Sequence, residues 1–184
     1  MGVTLNCDMG ESFGLYRIGD DEGLMPIIDV ANVACGFHAS DPDHMLAAVK
    51  SAKANGVKVG SHPGLPDLQG FGRRAMRMSR EEVRNSIVYQ TGALLGFLRA
   101  ESMELHHIKP HGSLYFMAME QEAVAHGVCD AAEIFGVPLF GMTGTLHGTF
   151  DAAFTEAPGR IFEVVKNSLL VALTAASIST YIPQ

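Results

Sequence analysis

Short apolar runs alternate along the chain with stretches whose apolar positions recur every three or four residues. "VTLNC" (Val3 to Cys7), "VANVAC" (Val30 to Cys35), "VKVGS" (Val57 to Ser61), "LHHIK" (Leu105 to Lys109) and "VPLFGM" (Val137 to Met142) have the length and apolar character of strands. Between them, "SDPDHMLAAVKSAKANG" places Met45, Leu46, Val49 and Ala52 at helical spacing. Ser40 or Asp41 is available there as N-cap, Pro42 suits the first turn and Gly56 is a stop. "SREEVRNSIVYQTGALLGFLRA" opens with Ser79 and Glu82 at capping-box spacing and carries Val83, Ile87, Leu94 and Leu98 on one face, with Gly92 and Gly96 read as points of close packing. "EQEAVAHGVCDAAEIFG" predicts a third helix ending near Gly136. Strand followed by helix, repeated, is the rhythm of an α/β fold with a parallel sheet.

Composition narrows the class of partner. The 184 residues are 47% hydrophobic and 18% charged, enough apolar content for one sizeable core. A formal net charge of -7 argues against nucleic acid or an anionic membrane, both of which need a basic face. Small solutes and other proteins remain. Cys7, Cys35 and Cys129 are odd in number and lack CxxC spacing, no secretory leader precedes the first motif, and no apolar run reaches the length of a membrane span. The expectation is a cytoplasmic protein in a reducing compartment.

In parallel α/β proteins, ligand sites form where the carboxyl ends of the strands meet the following loops. Four successive strand ends here carry polar, titratable residues followed by glycine: "NCDMGES", "CGFHASD", "SHPGLPDLQGFGRR" and "KPHGSLY". Asp8 and Glu11 suit turn capping, metal ligation or general base work. Asp41 suits a helix cap, whereas His38 precedes that cap, where a side chain can face the mouth. His62 precedes a proline and is held extended. Asp67, Arg73 and Arg74 suit a loop ion pair or recognition of carboxylate or phosphate. Lys109, His111 and Tyr115 offer an ammonium, an imidazole and a phenol at the fourth strand end. Any one of these is compatible with surface solvation, but their recurrence at four strand ends predicts a site. His106, His107, His126 and His147 lack such company and are given a structural reading. "GMTGTLHG" lacks the P-loop lysine.

The motifs "LNCDMGESFG", "ANVACGFHASDP", "GSHPGLPDLQGFGRR" and "IKPHGSLY", in this order, resemble the LamB/YcsF (lactam utilisation) family, associated with the A-subunit of ATP-dependent 5-oxoprolinase. The resemblance runs from about Val3 to about His147. It implies an irregular, seven-stranded (β/α) barrel of the glycoside hydrolase/deacetylase type. It also implies opening of the lactam of 5-oxoproline to glutamate with ATP and Mg2+, in concert with two partner subunits. Carried onto this chain, it assigns catalysis to Asp8, Glu11, His62, Lys109 and His111. Substrate binding falls to His38, Asp41, Asp67, Arg73, Arg74 and Tyr115. Analogy with deacetylase barrels adds a divalent metal on Asp8, His38 and His62. The alternatives are a stand-alone metal-dependent deacetylase or amidohydrolase, and a non-catalytic binding fragment.

The expected domain is single, residues 1–184, family-like over 1–147 and divergent over 148–184. The acidic, aromatic segment and the basic, proline-containing stretch of the family are absent from that tail, so the expectation is a barrel truncated at its C-terminal side. Its "IFEVV" and "LLVAL" runs would patch the gap or drive association, including a homo-oligomer.

Overall fold

Four parallel strands lie in the order in which they occur in the chain, β1 (Asn6–Met9), β2 (Val30–Ala34), β3 (Lys58–His62) and β4 (Leu105–Ile108). They belong to a computed structural model that describes residues 4–141. A short helix α1 (Asp21–Leu24), continued by a 3-10 turn at Met25–Ile27, links β1 to β2. Helices α2 (Pro42–Asn55) and α3 (Arg80–Ala100) cross over between the next strands. Two helices, α4 (Gly112–Glu120) and α5 (Glu122–Phe135), follow β4.

Each predicted strand has its counterpart, although the fifth is reduced to one parallel bridge between Ile108 and Leu139. Of the expected seven-stranded barrel, the described residues form a four-stranded parallel sheet with that bridge at its edge. The divergent tail over 148–184, with "IFEVV" and "LLVAL", lies outside the described residues, as does His147.

Helix punctuation follows the sequence closely. Asp41, not Ser40, caps α2, accepting from the backbone N–H groups of Asp43 and His44. Gly56 ends α2 in the left-handed conformation. Ser79 and Glu82 form the capping box of α3. The helix expected over "EQEAVAHGVCDAAEIFG" is α5, ending at Gly136, and a separate α4 precedes it. That break was not read from the apolar run "GSLYFMAME", which gives no periodic signal of its own end. Among the described residues nothing packs against Gly92 or Gly96. The tight helix contact is made by Gly127 instead, where a Cβ would stand 2.6 Å from the Arg80 carbonyl oxygen on α3.

Strand alternation divides the sheet into two chemically different faces. Cys7, Met9, Ala31, Val33 and Val59 point to one side and pack with Met45, Val49, Leu94 and Leu98 of α2 and α3. A second apolar cluster joins Val83 and Ile87 of α3 to Leu114, Val124 and Val128 of α4 and α5. The alternate strand positions include Asn6, Asp8, Asn32, Gly60, His62 and His107, beside Val30, Ala34 and Lys58. Asn6, Asn32, His62 and His107 are nevertheless buried, so this face needs internal partners for its polar atoms.

Candidate active site

The polar face resolves into a hydrogen-bonded chain leading to the carboxyl ends of the strands. Asn32 Nδ2 donates to Asn6 Oδ1 and Asp8 Oδ1, each at 2.8 Å. Its Oδ1 then accepts from His107 Nε2 at 2.7 Å, which assigns the ring proton of neutral His107 to Nε2. The His107 ring lies over Gly60, where a Cβ would come within 1.9 Å of it. Asp8 is the hub of the arrangement, also accepting from Lys109 Nζ, with its other oxygen 3.4 Å from His62 Nε2. Burial opposes charge on Asp8, but His62 and Lys109 outweigh it and hold the carboxyl well below the usual range.

Beside this hub stand Glu11 and three histidines, all buried. His62 ends β3, Glu11 and His38 lie in the loops after β1 and β2, and His111 occupies the N-cap position of α4. His38 and His111 stack, with ring centroids 3.6 Å apart and planes within 5°. Glu11 Oε1 lies 3.3 Å from His38 Nε2 and 3.6 Å from His111 Nδ1. Burial pushes the Glu11 carboxyl up to about 7 and drives His111 down to about 2, the latter helped by the neighbouring imidazoles. Burial likewise holds His38 well below the usual imidazole range. One donor atom from each of the four residues falls within 4.8 Å of all the others, so the group could hold a metal ion. It differs from the expected metal set: Glu11 and His111 join His38 and His62, while Asp8 pairs with Lys109.

The glycine- and proline-rich segment after β3 is the cover of this cluster. Phe71 packs edge-on against both His38 and His111, and its carbonyl oxygen accepts from His111 Nε2 at 2.9 Å. Gly72, at φ +64°, lets the backbone pass so close that a Cβ would stand 2.7 Å from that of His38. Gln90 of α3 pins the start of the segment, accepting from the N–H of Gly64 and donating to its carbonyl.

The remaining residues singled out in the sequence are placed differently. Both oxygens of Asp41 are occupied, one by the α2 cap and the other by Gly14 N at 2.7 Å and His44 Nδ1 at 2.8 Å. Asp67 and Arg74 pair with each other, and Asp67 also accepts from the Gly70 and Arg74 N–H groups, so the two shape the cover loop. This is the loop ion pair among the alternatives open in the sequence. Arg73 stays exposed, its guanidinium 5.7 Å from the Phe71 ring centroid, and makes no ion pair among the described residues. Tyr115 is half-buried on α4, next to Phe116.

Sequence reasoning missed Asn32, Phe71 and Gln90, and gave His107 only a structural role. Asn32 had a signal, a lone amide in the run "VANVAC", where a buried strand otherwise carries apolar residues.

Comparison with known proteins bears on the same residues. The model of the LamB/YcsF family matches residues 3–157, a span that includes every residue of the cluster. The chain belongs to the LamB/YcsF family. Among its relatives, the 5-oxoprolinase A-subunit of Tolumonas auensis is 50% identical over 145 residues, 78% of this chain and 58% of that protein. The Vibrio parahaemolyticus protein of the same name is 52% identical over 137 residues, 74% of this chain and 55% of its own length. The chain thus spans a little over half the length of these LamB/YcsF relatives. The crystal structure of the lactam utilization protein from Thermus thermophilus superposes with a TM-score of 0.82 at 46% identity, covering 87% of this chain and 64% of that one. A structure from Enterococcus faecalis, at 13% identity and TM-score 0.52, shares the fold alone. Among the described residues, no helix is long and apolar enough to cross a membrane.

Proposed function

We propose that this chain supplies the lactam-handling site of an ATP-dependent 5-oxoprolinase, acting with two partner subunits in the cytoplasm. The overall reaction is 5-oxoproline, ATP and two waters giving glutamate, ADP and phosphate. The observation that carries the reading is the half-buried Asp8 and Lys109 pair standing beside the buried Glu11, His38, His62 and His111 cluster. The names of the family relatives supply the substrate class.

A five-membered lactam is a poor electrophile, and phosphoryl transfer from ATP to its carbonyl oxygen makes the carbon open to attack. ATP and Mg2+ enter here as co-substrate. Lys109 is held by Asp8, so its ammonium is positioned to stabilise negative charge on the oxygen and to give a proton to the ring nitrogen as the C–N bond breaks. Water adds at the carbonyl carbon, its proton passing to a lone pair of the Glu11, His62 and His111 group; C–N cleavage then leaves a γ-glutamyl phosphate, which a second water splits into glutamate and phosphate. Arg73, exposed and without an ion pair among the described residues, takes the substrate carboxylate or a phosphate at the rim. Tyr115 is assigned to the same rim. Closure of the sheet into a barrel belongs to this reading as well.

The Glu11 and histidine cluster favours a second reading, a metal-dependent amidohydrolase that works without ATP. One assay separates the two: glutamate release from 5-oxoproline by the purified chain, with and without ATP and the partner subunits. The expected result is release that requires both, and that falls about 100-fold or more in Lys109→Met while cooperative melting persists. Release without ATP selects the amidohydrolase. Unchanged release in Lys109→Met removes the lysine from the mechanism.

A further inference from the structure

His62 and His111 meet through His62 Nε2 and His111 Nδ1, 3.0 Å apart. Each ring has committed its other nitrogen to a backbone carbonyl, His62 Nδ1 to Lys109 at 2.7 Å and His111 Nε2 to Phe71 at 2.9 Å. A carbonyl oxygen only accepts, so those two nitrogens carry the ring protons. In neutral imidazoles the facing nitrogens are then both lone pairs, and their contact is repulsive unless they share a positive centre.

A proton would satisfy that one contact. The surroundings ask for more than a proton, because two further donors converge on the same point. Glu11 Oε1 lies 3.6 Å from His111 Nδ1, and His38 Nε2 lies 3.3 Å from Glu11 Oε1. His38 Nδ1 is buried without a hydrogen-bond partner, so nothing in the protein opposes moving the ring proton there when an ion takes the Nε2 that now faces Glu11. Two nitrogens 3.0 Å apart subtend an angle of about 90° at an ion about 2.1 Å from each, within the range of metal coordination. Three imidazoles and one carboxylate suit a divalent transition ion, whereas Mg2+ and Ca2+ prefer all-oxygen sets. The backbone acceptors on His62 and His111 are the outer partners that orient ligating imidazoles.

We propose that Glu11, His38, His62 and His111 form a binding site for one divalent transition-metal ion of the zinc and cobalt class. Bound there, the ion is a Lewis acid beside Lys109 and makes the site attractive to an anionic ligand. The inference goes beyond the lactam reading and does not depend on it, since ion uptake is measured without turnover.

The test is titration of the chelator-stripped chain with cobalt(II) chloride, followed by visible absorption. The expected result is one ion per chain with weak d–d bands, displacement by zinc(II), and a melting temperature that rises by several degrees with either ion. No thiolate charge-transfer band is expected, because Cys7, Cys35 and Cys129 are not in the site. Glu11→Gln and His111→Ala should each weaken uptake at least tenfold. If those variants fail to melt cooperatively, X-ray absorption on the cobalt-loaded wild-type chain decides. Imidazole nitrogens and oxygen at about 2.0–2.1 Å uphold the site, and a sulfur shell overturns it. Absence of stoichiometric uptake at millimolar cobalt also overturns it and leaves a shared proton between His62 and His111.

Discussion

Gly60 shows how a single missing side chain supports the chemistry of another strand. The His107 ring occupies the space over it, and from there His107 fixes Asn32, which in turn donates to Asp8. Gly60→Ala would drive a methyl into a ring that is buried and hydrogen-bonded, so it should cost about 1–3 kcal/mol of stability, measurable by urea unfolding. A loss under about 0.5 kcal/mol would mean the ring moves aside freely. The residues that touch the cluster were legible in "NCDMGES", "CGFHASD" and "KPHGSLY", because titratable groups at strand ends stand out. Asn32 showed only as a lone amide in an apolar run, and the role it shares with His107 was not legible, because the two partners stand 75 residues apart and meet only in the fold. Asp41 and Asp67 were equally visible and turned out to have local partners, which the sequence left as one of two alternatives.

At the level of elements, helix ends were readable and helix contacts were not. Ser79, Glu82, Asp41 and Gly56 act within a turn of their own position, so local spacing suffices to recognise them. Gly92, Gly96 and Gly127 look alike in sequence and differ only in what lies opposite. Gly127→Ala should push α5 off α3, a cost of about 1–3 kcal/mol, because its Cβ would meet the Arg80 carbonyl and the Val83 side chain. Gly92→Ala and Gly96→Ala, at positions that meet nothing among the described residues, should each add about 0.5–1 kcal/mol. Thermal melts of the three variants check this directly, and equal effects would refute the packing assigned to Gly127.

For the whole molecule, burying a polar layer behind the sheet couples stability to pH. His107 is fully buried and its affinity for a proton is held well below the ordinary imidazole value, chiefly by burial. Unfolding restores a value near 6.5, so below about pH 6.5 the unfolded chain binds a proton that the folded chain refuses. This contribution is complete above that pH and is lost as pH falls toward the folded value, at up to about 1.4 kcal/mol per pH unit. His107→Gln should therefore show a shallower fall in stability between pH 7.5 and 5.5 than the wild-type chain, in urea unfolding at each pH. A parallel fall would show that His107 protonates in the folded state.

The sequence by itself determined the βα rhythm, the helix caps and the family, since these rest on local periodicity, on neighbours within a turn and on contiguous motifs. Only the tertiary structure decided which nitrogen of His62 and His111 is committed to the backbone, that Glu11 and His111 join His38 and His62, and that Asp8 belongs to Lys109. The reason is physical: hydrogen bonds and charge pairing act over a few ångströms in space, and parallel strands bring together residues as far apart as Asp8 and Lys109 only once the sheet is formed.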